Sequence, residues 1–327
     1  MITFLSESDI KAVVNQSDMT NAMEECYASL ANGSAFNFPV VRQGLNYQDA
    51  VFGFKSGFDT SKPALGIKAG GLWPGNRSLG LPNHQSTIML FNPDSGAPSA
   101  LVCATYLNAL RTAAASALSV RHLARPDARV LGITAAGGQS EFQVRACLAE
   151  GNFNRVVVPE RESGSGERLG KALADLNIEV EVLPIEALCQ ASDVLITVGL
   201  SFQPYIRADW VRSGTHVACM GTDTLGKQEV DAELLSACKV FGDAPDQNAL
   251  LGECQHAVKA GILKEEQIVP LGEVITKKSS GRDTEEQITL FDSTGMGLQD
   301  VAAAQLAVEL ATKAGRFQQL DQWGNDE

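Results

Sequence analysis

The stretch RVLGITAAGGQSEFQVRACLA, Arg129 to Ala149, decides the fold, because its apolar pattern changes period in the middle. Val130, Leu131 and Ile133 form a short apolar run with β-branched residues, and Ala135-Ala136-Gly137-Gly138 breaks it. From Gln139 the apolar residues Phe142, Val144, Ala146 and Leu148 continue without Pro or Gly until Gly151. The reading is strand, tight turn, helix. Such a turn leaves the first N–H groups of the helix unpaired, and together with the positive end of the helix dipole they attract a pyrophosphate. Against the pattern G-x-G-x-x-G the small positions map onto Ala135, Gly137 and Ser140, so only the middle one is glycine, and an ordinary βα turn reads the same way. The context favours a nucleotide. A second apolar strand, Arg155 to Val158, follows at the spacing of a βαβ unit, and Glu160 stands about 20 residues beyond the turn, where an acidic side chain binds a ribose 2′-hydroxyl.

A chain of 327 residues carries two domains by its length alone. Hydrophobic residues make up 44%, enough for a core, and a net charge of −13 makes wrapping nucleic acid or sitting on an anionic membrane electrostatically unfavourable. No apolar run approaches the roughly 18 residues of a membrane span, and MITFLSESDI has neither a basic n-region nor an h-region, so a cytoplasmic protein is expected. Its seven cysteines are scattered, without C-x-x-C or histidines at ligand spacing; no metal site is expected.

Along the chain, Ser8 to Asn15 and Thr20 to Leu30 read as helices capped by Ser or Thr, the second stopped by Asn32-Gly33. Val40-Val41, Val51 to Phe54, Leu65 to Ala69 and Ser86 to Phe91 read as strands of a mostly antiparallel module, and Thr105 to Leu123 as a long helix. After the βαβ opening, Ile178 to Leu183, Asp193 to Val198, His216 to Met220 and Lys239 to Phe241 alternate with helical or turn segments, which predicts a doubly wound Rossmann sheet. A strand, Ile288 to Phe291, and a helix, Gly297 to Ala314, follow, and the polar tail Phe317 to Glu327 is expected to fray. The fold class expected is α/β: a Rossmann domain over 124–291, and a discontinuous α+β domain for substrate and dimerisation over 1–123 with 292–327.

Four features could carry chemistry. Arg42, Lys55, Lys68 and Arg111 cluster in the first module, and Arg111 lies in an alanine-rich apolar helix, where a guanidinium needs a carboxylate from a ligand or from a structural ion pair. Lys68, in Gly66-Ile67-Lys68-Ala69-Gly70-Gly71, either faces water or sits desolvated with a lowered pKa, fit for acid–base work. Asp223, in Met220-Gly221-Thr222-Asp223, stands just past a strand of the parallel sheet, where ligands bind and where helix caps also occur. Ser293 and Thr294, in Phe291-Asp292-Ser293-Thr294-Gly295-Met296-Gly297, end a strand in hydroxyls before a helix. Among the histidines, His84 alone lies in a loop dense with polar groups.

The blocks GIKAGGLWPGNRSLGLPNHQSTIMLFNPDSGAPSALV, ALRTAAASAL with HLARPDARVLGI, MGTDTLGKQEVD and ITLFDSTGMGLQDVAAA resemble the ornithine cyclodeaminase and μ-crystallin family. The resemblance implies homodimers that bind a small amino or imino acid against a nicotinamide. By motif it assigns Arg42, Lys68 and Arg111 to the substrate carboxylate, with Lys68 close to the reacting nitrogen, and Asp223 to acid or base work; His84, Lys55 and Thr294 are the further candidates beside the substrate. It implies a dinucleotide lined by Ala135, Gly137, Gly138, Gln139 and Ser140 at the turn. Beyond the turn it implies Glu160 and Arg161, then Gly199, then Met220, Gly221, Thr222, Asp223 and Lys227. Asn83, at a position often Thr, and Arg111, Thr112 and Ser293 complete the set.

One departure sets the substrate. Ornithine cyclodeaminases carry a glutamate on the strand matching roughly Ala50 to Phe54, where it accepts the distal ammonium, whereas DAVFGFKSG lacks it and offers Lys55. A cation there repels ornithine and attracts a second carboxylate. The expectation is therefore an NAD-dependent reductase of a small dicarboxylic imino acid, such as iminosuccinate to aspartate, as in the iminosuccinate reductase branch of the family. Lys68 or Asp223 keeps the imine nitrogen protonated. Glu160 disfavours a 2′-phosphate and so favours NAD, although Arg161 and Ser163 could accommodate NADP. The alternatives are a cyclodeaminase, a reductase of other ketimines, or a nucleotide-dependent binding protein without turnover.

Overall fold

The computed structural model describes residues 1–159 and 164–321. It divides into two units, Met1–Arg111 with Met296–Glu327, and Thr112–Gly295. The first begins with β1 (Ile2–Leu5), α1 (Glu7–Val13), α2 (Gln16–Ala31), β2 (Ala35–Asn37), β3 (Val41–Gly44), β4 (Val51–Asp59), β5 (Ala64–Leu72), β6 (His84–Phe91) and β7 (Pro98–Cys103). The chain crosses to the second unit inside α3 (Thr105–Leu123). There follow β8 (Val130–Ile133), α4 (Ser140–Leu148), β9 (Arg155–Pro159), α5 (Ser165–Ala172), β10 (Glu179–Leu183), α6 (Ile185–Ala191), β11 (Val194–Thr197) and β12 (Phe202–Ile206). Then come β13 (His216–Cys219), β14 (Gln228–Val230), α7 (Ala232–Ser236), β15 (Cys238–Gly242), α8 (Pro245–Leu251), α9 (Gln255–Lys259), β16 (Val269–Pro270), α10 (Leu271–Ile275) and β17 (Ile288–Asp292). The chain then returns to the first unit with α11 (Gly297–Lys313) and β18 (Gln318–Leu320).

The second unit is a Rossmann-like sheet of eight strands in the order β10-β9-β8-β11-β13-β17-β15-β16, each pair parallel. Its central strands are apolar on both faces, as a sheet covered on both sides requires: Val194, Leu195 and Ile196 of β11 and Val217, Ala218 and Cys219 of β13 are all buried. The strand order reverses between β8 and β11, and such a switch point opens a crevice for ligand at the carboxyl ends. A two-stranded parallel ribbon, β12 with β14, stands apart and has no counterpart in the sequence reading.

The first unit is an eight-stranded sheet ordered β18-β1-β7-β6-β5-β4-β2, with β3 also on β4; every pair is antiparallel except β1 with β7. Helix α11 lies against β4 and β5, and small residues make that approach possible. A Cβ on Gly57 would sit 2.9 Å from the Leu298 backbone, one on Gly66 3.1 Å from Val301, and one on Gly297 2.2 Å from the Ser56 nitrogen. The Asn37 side chain accepts from the N–H of Gly297 at 2.9 Å and so caps α11 from β2. The first turn of α11 is thereby fixed against the middle of the sheet.

Several expectations shift. The helix placed from Ser8 starts at Glu7 behind a Ser6 cap, and the one placed from Thr20 starts at Gln16 behind Asn15. Thr20 is interior, its hydroxyl donating to the Gln16 carbonyl, a local bond that any helical threonine can make. Gln318–Leu320, within the tail expected to fray, pairs antiparallel with β1. The first unit ends at Arg111 within α3, and beyond it Ala113 and Ala117 are buried with Ala146 of α4, with the partly buried Phe142 packed against them. The second unit ends at Gly295, and Asp243 accepts from the Ser293 and Thr294 hydroxyls and the Gly295 N–H. Among the described residues no helix is long and apolar enough to cross a membrane.

If the close approach of α11 is what the glycines secure, Gly297→Ala should lose about 1–3 kcal/mol of stability in urea unfolding. Gly75→Ala, whose Cβ meets nothing within 4 Å, should stay within about 0.5 kcal/mol of the parent. Equal effects would show that the helix is not held at that distance.

Candidate active site

Lys55 and Lys68 are direct partners across β4 and β5, and Arg42 of β3 faces Gly53, two residues from Lys55. Side chains alternate along a strand and opposed residues share a face, so Arg42, Lys55 and Lys68 project from one side of the sheet. His84 shares that side, through the register of Leu72 with His84 and Lys68 with Ile88. Gly53 and Gly70, paired across the same strands, put no side chain beside the lysines. Helix α11 covers this side at Gly57 and Gly66, where its first turn delivers Asp300.

Asp300 is 1% exposed and lies 2.7 Å from Lys68 Nζ and 2.9 Å from Arg111 Nε. Asn108, one turn before Arg111 on α3, accepts from Lys68 Nζ at 3.1 Å and also from the Arg111 guanidinium. Burial pushes the Lys68 ammonium down to about 7; Asp300 opposes that, while Arg111 and Lys55 add to it. Burial raises the Asp300 carboxyl, but Arg111 and Lys68 outweigh it and hold the group below the ordinary carboxylate range. Lys68 is thus poised to give or take a proton near neutrality. With Lys55, three cations act on this one carboxylate.

In the second unit the remaining candidates gather at the carboxyl ends of the parallel strands. Ala135, Gly137, Gly138, Gln139 and Ser140 follow β8, Gly199 follows β11, and Met220 to Asp223 follow β13. Among the described residues, nothing lies within 4 Å of a Cβ built on Gly137 or Gly138, no side chain caps α4, and the buried Gln139 Oε1 has no hydrogen-bond partner. Those features fit a dinucleotide pyrophosphate. The buried Ser140 hydroxyl accepts from the Gly137 N–H at 3.0 Å and closes the turn itself. Lys227 Nζ donates to Asp223 at 2.7 Å and to the Gly221 carbonyl at 3.3 Å, so the expected acid or base is held in an ion pair.

Other candidates face inward. The Thr222 hydroxyl donates to the buried Glu253. Thr294 donates to Asp243 at 2.9 Å and receives Gln247 at 2.7 Å, and Ser293 donates to Asp243 at 3.2 Å. Asn83 belongs to the first unit, where its side chain accepts from the Arg77 N–H and its carbonyl from the Trp73 N–H. Thr112 begins the second unit on α3. Glu160 and Arg161, with Ser163, lie outside the described residues. The sequence reading passed over Asn108, Asp300, Glu229 and Glu253, although a lone acid such as Asp300 in the alanine-rich run LQDVAAAQ is the same signal that singled out Arg111.

Fold and site define a class: an α/β protein with a Rossmann-like parallel sheet in one unit and buried cations gathered around Asp300 in the other. The family model described as ornithine cyclodeaminase/mu-crystallin matches residues 2–315, and the chain belongs to that family. Iminosuccinate reductase of Paracoccus denitrificans is 43% identical over 317 residues, covering 97% of this chain and 99% of the relative. The crystal structure of the iminosuccinate reductase of Paracoccus denitrificans in complex with NAD+ matches with a TM-score of 0.93 at 42% identity, over 98% of this chain and 99% of that one. An archaeal alanine dehydrogenase dimer with bound NAD matches with a TM-score of 0.93 at 31% identity, over 98% and 99%.

Since Asp300 is the group that holds the Lys68 proton on, Asp300→Asn should move Lys68 titration down by at least about one pH unit. An NMR titration of the lysine Nζ signals reads this directly. An unchanged or raised midpoint would mean that Asp300 does not act on Lys68.

Proposed function

We propose that this protein is an NAD(H)-dependent imine reductase that converts a small dicarboxylic imino acid to its amino acid, iminosuccinate to aspartate. The observation that carries this reading is the cluster of cations that gathers around Lys68. Lys55, Lys68 and Arg111 share one face or contact with Asp300, and Arg42 projects from the same side. A dianion neutralises such a site, whereas ornithine with its second ammonium would be repelled. The resemblance to iminosuccinate reductase over nearly the whole of both chains supports the same substrate class, and the NAD complexes of two relatives support the cofactor.

The chemistry the dinucleotide supplies when bound is a hydride for the imine carbon, and with one proton the balance is iminosuccinate, NADH and H+ to aspartate and NAD+. The chain's own part begins with Arg42 and Arg111, which orient the carboxylate beside the imine. Lys55, opposite Lys68, receives the distal carboxylate. Lys68 keeps the imine nitrogen protonated, which makes the carbon electrophilic. Its titration near neutrality suits this task better than Asp223, which Lys227 holds as an ion pair. A donor that must stay protonated makes imine reduction fall as pH rises through about 7.

Exposed Phe36, Phe38, Val41, Tyr47 and Phe54 on β2 to β4 and their connections support assembly as a homodimer through the first unit. Seven cysteines, none of them in a disulfide, support a reducing cytoplasmic setting.

The reading predicts NADH oxidation with oxaloacetate plus ammonia faster than with pyruvate or glyoxylate plus ammonia. Proline release from ornithine without imine reduction would replace it with cyclodeamination, and NADH binding without any turnover would make the protein a binding protein. Lys55→Glu should lower kcat/KM for the oxaloacetate-derived imine at least about tenfold, or 1.4 kcal/mol, and hardly change that for the pyruvate-derived imine. Equal losses would put Lys55 outside the pocket.

A further inference from the structure

Glu229 of β14 is 1% exposed, and among the described residues its carboxylate forms no ion pair, Lys227 acting on it only at a distance. Its Oε1 accepts from the N–H of Gly199 at 2.6 Å and from the hydroxyl of Tyr205 at 2.7 Å. The same Tyr205 oxygen is 2.8 Å from Thr134 Oγ1. Thr134 is the residue after β8, Gly199 lies just past β11, and Gly221 just past β13. At Gly221 a Cβ would lie 2.2 Å from Glu229 Oε2 and 2.6 Å from the Gly199 carbonyl, so that glycine is required by the carboxylate beneath it. Glu229 therefore reaches the carboxyl ends of β11 and β13 directly and that of β8 through Tyr205, on both sides of the point where their order reverses.

A second buried carboxylate extends the arrangement. Glu253, also 1% exposed, accepts from the N–H groups of Glu229 at 2.7 Å and Val230 at 2.8 Å through one oxygen, and from the Thr222 hydroxyl through the other. β14 is thus fastened from behind while its glutamate reaches forward to the loops. Burial raises both carboxyls, Glu253 to about 8 with Glu229 adding to the effect. Apolar residues of the same size would close the space at less cost. They could not take the Gly199 N–H or the Tyr205 hydroxyl, and both loops would then be free to turn those donors elsewhere.

We propose that Glu229 is a positioning residue for the dinucleotide, setting through Gly199, Tyr205 and Gly221 the spacing of the loops after β8, β11 and β13 that receive it. The inference rests on the reading of the parallel sheet as the NAD(H) site. It is tested on the full-length protein by NADH fluorescence titration, with thermal unfolding of the cofactor-free protein alongside. Glu229→Ala should raise the Kd for NADH at least about tenfold while the KM for the imine at saturating NADH changes less than about twofold. Glu229→Gln, which keeps an oxygen for the Gly199 N–H, should recover most of the affinity. Tyr205→Phe and Gly221→Ala should weaken NADH binding without the loss of the Glu229 side chain, which keeps the test open if Glu229→Ala does not fold. Wild-type protein that binds no NADH would overturn the dinucleotide reading itself. Wild-type binding retained in Glu229→Ala, or in both Tyr205→Phe and Gly221→Ala, would overturn the role of Glu229 alone. So would a fall in unfolding temperature with NADH affinity and imine KM changed in equal measure in Glu229→Ala and Glu229→Gln.

Discussion

The first unit depends on one buried carboxylate held between two cations. Asp300 meets Lys68 of β5 and Arg111 of α3, so a helix near the end of the chain ties together two elements that the sequence separates widely. An arrangement of this kind contributes less to stability than its short distances suggest, since all the charges have left water. Its geometry is nonetheless demanding, because losing any one member strands the others in a dry site. The causal order runs from the smallest residues upward. Gly57, Gly66 and Gly297 let α11 lie on the sheet, Asn37 fixes where the helix starts, and the start fixes where the carboxylate falls. The acidity of Lys68 is the last consequence of that series.

The second unit solves a related problem with the opposite sign. Its strand ends present backbone N–H groups and hydroxyls, and the buried acceptors that collect them are acids: Glu229 and Glu253 beneath the loops after β11 and β13, and Asp243 beneath the Ser293-Thr294-Gly295 turn. Such carboxylates organise loops without filling the crevice above, because they reach the donors from the interior. The loop after β8 is built otherwise. It closes with Ser140 on Gly137 and leaves its glycines open, which is what the approach of a phosphate requires.

The sequence made the parallel sheet legible because buried strands write themselves as apolar runs, and Arg129 to Ala149 carried the change of period that names a βαβ unit. β1 and β18 escaped because four and three residues hold too little pattern, and β12 and β14 because their pairing depends on the whole unit. Lys68 and Arg111 were legible as charges in apolar surroundings. Asp300 carried the same signal and was passed over, as were Glu229 and Glu253, since an acid in a chain this acidic reads as a solvated face. Ser293 and Thr294 were legible as hydroxyls beside glycines, but only the fold brings Asp243 beneath them.

Lys55 shows how a single sign can redirect such a scaffold. It faces Lys68 across β4 and β5, so on the proposed reading its charge acts twice, once on the ligand and once on the proton of its neighbour. As a cation it favours a second carboxylate and at the same time lowers the hold of Lys68 on its proton, bringing that group toward neutrality, where it can serve an imine. An acid in the same register would welcome an ammonium on the substrate and raise the Lys68 titration instead. Substrate charge and the readiness of the proton donor are therefore coupled through one cross-strand pair. On that reading, a change of substrate made at Lys55 also retunes the titration of Lys68.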